Sequence, residues 1–177
     1  MSVQQYKHIL VPIDGSAEAE LAFKKAVAVT KRNGDDCELR LLHVVDTRAF
    51  QNISSFDTSM VEQVTETAKK TLDQYVEYAK EAGVKKVSYS IEYGAPKMII
   101  ARDVPKEMHA DLIMIGATGL NAMERILIGS VTEFVTRMAV CDVLVVRTDL
   151  DNKLIPAKKG RKNQGFTTAP SKKDDNK

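Results

Sequence analysis

IMIGATGLNAMERILIGSVTEFV, residues 113–135, places Gly116, Gly119 and Gly129 between an apolar run and a stretch of helical periodicity. An uninterrupted apolar run reads as a strand covered on both faces, and Ser130 followed by apolar residues at threes and fours reads as a helix start. Glycines between two such elements have two explanations. They shape a tight turn, or they let backbone come close to a phosphate.

Working outward, the same strand-then-helix pattern repeats along the chain. HILVPI at 8–13 is a buried strand ended by Asp14-Gly15-Ser16, with Ser16 as cap and Glu18 and Glu20 in the first turn of a helix. Ala19, Ala22, Ala26 and Val29 keep helical spacing up to Asn33-Gly34. Leu39–Val45 is a second strand, residues 46–59 a loop, and Val61 to Ala82 a long amphipathic helix ended by Gly83. Val84–Tyr93 alternates in part, which places this third strand toward a sheet edge. Pro96 opens another helix, which Pro105 is expected to interrupt. Asp111–Ile115, Ser130–Met138 and Asp142–Arg147 complete the series as strand, helix and strand, with Met123 and Met138 as core fillers. Five strands alternating with helices predict a single-domain α/β fold over residues 1–150, a parallel sheet with helices on both faces. In such sheets ligands bind beyond the carboxyl ends of the strands, where the strand order reverses.

The glycine spacing fits neither familiar nucleotide loop. No lysine follows Gly129-Ser130, so it is not a Walker A loop, and it is not the dinucleotide G-x-G-x-x-G. The helix beginning at Ser130 still offers unpaired N–H groups and a positive dipole end, with Arg125 and a metal ion as further sources of positive charge. From the residues alone the turn and the phosphate readings both stand.

The pattern G-x2-G-x9-G-S after an apolar strand, with VPIDGS at 11–16 and LLHVVD at 41–46, resembles the universal stress protein family over about residues 6–148. The resemblance implies a five-stranded parallel sheet of order 3-2-1-4-5, similar to adenine nucleotide alpha-hydrolases, and membership of the ATP-binding branch. It implies that Pro12, Ile13 and Asp14 line the nucleoside and that Val44 offers backbone hydrogen bonds to adenine. Gly116 and Gly119 would pass near ribose and phosphates, and Gly129, Ser130 and Val131 would hold the phosphates, with Mg²⁺ or Mn²⁺ bound alongside ATP. It further implies a homodimer through the last strand, Val143–Val146, and a nucleotide-responsive switch in which binding orders the 117–128 loop. Ala117-Thr118 stands where members often carry a serine and a basic or histidine residue, a departure that removes one phosphate contact. A slow ATP hydrolase and a dimeric module without nucleotide are the alternatives.

Composition sets limits on function. The 177 residues carry a net charge of +2, but residues 151–177 hold eight Lys/Arg against three Asp, leaving 18 basic and 21 acidic residues in 1–150. The segment from 151 therefore reads as a basic, disordered tail, and the mildly acidic body argues against a nucleic-acid face. No apolar run is long enough to span a bilayer, and no signal peptide is read at the N-terminus, which points to the cytoplasm. Cys37 and Cys141 have no ligand spacing and are expected as reduced thiols. His8, His43 and His109 share no catalytic pattern, although His43 neighbours the expected adenine strand.

Overall fold

A computed structural model describes residues 4–50, 58–118 and 128–154. Five strands form one parallel sheet in the order β3-β2-β1-β4-β5. They are β1 (His8–Pro12), β2 (Glu38–Val45), β3 (Lys86–Tyr93), β4 (Leu112–Gly116) and β5 (Asp142–Val146). The expected order is the observed one, and strand order reverses between β1 and β4.

Helices α1 (Ala17–Asn33) and α2 (Thr58–Glu81) cover one face of the sheet. Alternate residues Ile9, Val11, Leu39 and Leu41 meet Phe23, Leu72 and Tyr75 there, with the Phe23 and Tyr75 rings edge-on at 4.6 Å. The intervening positions Leu10, Leu42, Ile113 and Ile115 point to the other face. They pack under a turn of helix α3 (Pro96–Met98), a π turn (Ile99–Asp103), α4 (Val104–Glu107) and α5 (Ser130–Met138). The sheet is thus the middle layer, with α1 and α2 on one face and α3, the π turn, α4 and α5 on the other.

Four expectations need correction. The 46–59 loop contains a 3₁₀ turn at Thr47–Phe50, and α2 begins at Thr58 rather than Val61. Val84 ends α2 instead of starting β3. Its N–H donates to the Ala79 carbonyl and that of Gly83 to the Lys80 carbonyl, a Schellman cap with Gly83 at φ 96° and Val84 buried as its apolar contact. Pro105 does not break the helical run. The Val104 N–H reaches back five residues to the Ile99 carbonyl, and this wide turn makes room for the proline ring in the first turn of α4. Met138 is 36% exposed beside β5, not a core filler, and Met123 lies outside the described residues.

The central seam of the sheet is short. β1 and β4 pair only at Ile9↔Leu112 and Leu10↔Ile113, whereas β2 and β3 pair over their full length. Below that seam the Asp111 carboxylate accepts from the backbone N–H groups of Lys7 (2.7 Å) and His8 (3.1 Å), while the Asp111 N–H donates to the His8 carbonyl. Beyond β5 the chain turns at Asp149–Lys153, and Lys25 of α1 donates to Thr148 Oγ1 and Asn152 Oδ1.

Candidate functional site

At the carboxyl edge of β1 the chain makes a turn that the residues themselves enforce. The Ile13 N–H donates to the Leu42 carbonyl at 2.8 Å, the last link of β1 to β2. The Asp14 carboxylate accepts from the Ser16 N–H, and Ser16 Oγ accepts from the Ala19 N–H to cap α1. His43 Nδ1 lies 2.8 Å from the Ile13 carbonyl oxygen. A carbonyl can only accept, so this nitrogen carries the proton and ties the turn to β2. Ile13 is buried, and Asp14 stands exposed at the mouth of the turn.

Val44 has a divided environment. Its side chain packs with α4 and α5, on the face opposite His43. Its peptide groups follow the alternation of a parallel ladder. Leu42 bonds toward β1 and Val45 toward β3, where its carbonyl accepts from Gly94. Val44, two residues beyond Leu42, therefore aims its N–H and C=O to the β1 side at a level above Ile13, where β1 has already ended. A ligand edge in that gap meets one donor and one acceptor.

β4 ends next to this gap. The Ala117 N–H donates to the Val146 carbonyl, the Gly129 N–H donates to the Ala117 carbonyl, and the buried Thr132 hydroxyl donates to the Gly116 carbonyl at 2.8 Å. These bonds bring the start of α5, with Gly129, Ser130 and Val131, against the end of β4. Gly129 itself occupies the N-cap with φ −69° and ψ 154°, an extended conformation open to any residue. Gly116 has a packing reason independent of any ligand. A Cβ there would sit 2.8 Å from the Glu18 carbonyl carbon, in the first turn of α1. Gly119 and Arg125 lie outside the described residues.

A cavity of about 530 Å³ opens on the α2 side of this edge, lined among others by Ile13, Asp14, His43, Thr71, Leu72 and Tyr75. Burial, then the charges of Glu20 and Asp14, push the Tyr75 phenol well above its usual range, so it stays protonated at neutral pH. Leu72 and Tyr75 belong to the apolar stripe of the amphipathic helix read from the sequence. That the polar flank of the same stripe, Gln63, Thr67 and Thr71, borders a cavity was not foreseen. The four-residue spacing of those polar side chains was the available signal.

The remaining titratable candidates fall elsewhere. His8 lies at the amino end of β1, where its N–H meets Asp111. Cys37 and Cys141 also precede strands at that end and are in no disulfide, each thiol pushed up to about 11 by burial and then by the Asp111 charge. Among the described residues no group of three or more His, Cys, Asp or Glu could hold a metal ion, and no helix is long and apolar enough to cross a membrane.

Comparison with known proteins agrees with this geometry. A putative universal stress protein of Staphylococcus aureus (strain USA300) is 47% identical over 144 residues, covering 81% of this chain and 86% of its own. Universal stress protein UspA from Lactobacillus plantarum superposes with a TM-score of 0.68 at 31% identity, covering 82% of this chain and all of the other. The universal stress protein from Archaeoglobus fulgidus in complex with dAMP shares the fold with a TM-score of 0.58 at 21% identity, over 80% and 98% of the two chains. A sequence model described as the universal stress protein family matches residues 5–147, and this chain belongs to that family.

Proposed function

We propose that the chain binds an adenine nucleotide, ATP with Mg²⁺ or Mn²⁺, in the crevice between β1 and β4, and serves as a nucleotide-responsive regulator in the cytoplasm. The observation that carries this reading is the meeting, where strand order reverses, of three features: the open Val44 peptide, the Asp14 turn and the start of α5. The donor set suits the ligand. Adenine offers an acceptor nitrogen beside an amine, matching the N–H and C=O of Val44. Pro12, Ile13 and Asp14 would flank the nucleoside. The first N–H groups of α5, the Ser130 hydroxyl and the positive end of the helix dipole suit phosphate oxygens. A divalent ion would be carried by the phosphates. A family fold captured with dAMP supports the adenine assignment for the architecture.

Calorimetric titration of ATP with Mg²⁺ into protein first checked for co-purified nucleotide tests the proposal. Micromolar or tighter binding is expected, lost in Gly129→Leu while the thermal midpoint in the absence of ligand stays within a few degrees. No heat and no co-purified nucleotide would overturn it.

A further inference from the structure

The cavity against α2 contains groups that the nucleotide reading leaves unused. Its helical side is a polar stripe at four-residue spacing, Gln63, Thr67 and Thr71, facing His43 of β2. Both threonine hydroxyls have already committed their protons. Thr67 Oγ1 donates to the Gln63 carbonyl at 2.9 Å, and Thr71 Oγ1 to the Thr67 carbonyl at 3.1 Å. What each oxygen has left is lone pairs. His43 is in the same condition. Its Nδ1–H is taken by the Ile13 carbonyl, so in the neutral ring Nε2 is an acceptor. At the mouth stands Glu20, a carboxylate held by Lys24 at 2.7 Å. The threonine oxygens and His43 Nε2 can only accept, beside Gln63, Gln74 and Tyr75, which also carry donors.

We infer that His43 is a specificity-determining residue, its Nε2 accepting from the exocyclic amine of a 6-aminopurine. The inference rests on the nucleotide reading above and deepens it. A 6-oxopurine presents a carbonyl at the same position, and two acceptors facing each other both lose their water without gaining a proton. The Val44 peptide carries a donor beside an acceptor and can serve either base after a small shift. His43, its Nδ1–H held by the Ile13 carbonyl, cannot.

Two substitutions separate reading the base from holding the turn. In His43→Asn the amide nitrogen takes the place of Nδ1 and keeps the bond to Ile13, but nothing remains at Nε2. In His43→Gln the amide oxygen reaches the position of Nε2. ATP and inosine triphosphate, each with Mg²⁺, are titrated into the wild type and both variants under the same conditions. The wild type is expected to favour ATP by about tenfold or more, His43→Asn to reduce that ratio to about threefold or less, and His43→Gln to keep most of it. Thr71→Val removes one wall acceptor without touching the Ile13 bond, and is expected to narrow the ratio as well. Far-UV circular dichroism checks that each variant is folded. Equal wild-type affinity for the two nucleotides overturns this inference alone. So does a ratio that no folded variant changes. Failure of the wild type to bind ATP at all overturns the nucleotide reading, and this inference with it.

Discussion

At Gly116 the backbone of β4 packs directly against that of α1. A methyl group there would lie 2.8 Å from the Glu18 carbonyl carbon and 2.9 Å from its oxygen, so Gly116→Ala has to displace the first turn of α1. We expect a loss of about 1–3 kcal/mol in urea unfolding without nucleotide, as for other overpacked sites. Unchanged stability would mean that the turn shifts freely. The sequence revealed that something approaches this glycine but not what. Close approach is a local property of Gly-rich turns, whereas its partner, nearly a hundred residues earlier in the chain, is set by tertiary packing. Asp14 was legible for the opposite reason. An aspartate followed by Gly15-Ser16 makes a local turn, and the carboxylate-to-amide bond to Ser16 needs no distant residue. His43 was only suspected, because its bond to Ile13 spans thirty residues.

At the scale of elements, the periodicity of the sequence found the strands and the long helices, missed the 3₁₀ turn at Thr47–Phe50, and otherwise erred mainly where elements end. The errors at the ends share a cause. Val84 and Pro105 were judged by residue type, while their roles depend on carbonyls five residues back in chain. The junction of α5 with β4 depends on one such remote bond. The Thr132 hydroxyl is buried and donates to the Gly116 carbonyl, and Thr132→Val keeps the shape while removing the donor. A loss of about 1–3 kcal/mol is expected by thermal unfolding, with Thr132→Ser recovering most of it. If valine is tolerated without cost, the bond does not anchor the helix.

For the whole molecule, strand order came from the resemblance and not from periodicity, which cannot say which strands are neighbours. The two edges of the sheet differ in character. β3 presents a mixed, partly charged strand with Tyr93 48% exposed at its end, whereas the apolar β5 leaves Leu144 45% exposed in its middle. An apolar edge of this kind invites pairing. The proposed homodimer through Val143–Val146 predicts a dimer mass by size exclusion with light scattering, shifting to a monomer in Leu144→Lys. A monomeric wild type at micromolar concentration would dismiss that edge as an interface.

The short seam between β1 and β4 has a mechanical meaning. Asp111 fastens the two strands at their amino ends, the ladder stops after Leu10, and the crevice begins where the fastening ends. The sheet is therefore built like a clasp, with its pivot at Asp111 and its jaws at the Asp14 turn and the start of α5. Helix α1 lies across both jaws, pressed on Gly116 at one end and bonded through Lys25 to the turn after β5, as a leaf spring would be. Any widening of the jaws would have to move α1 off Gly116.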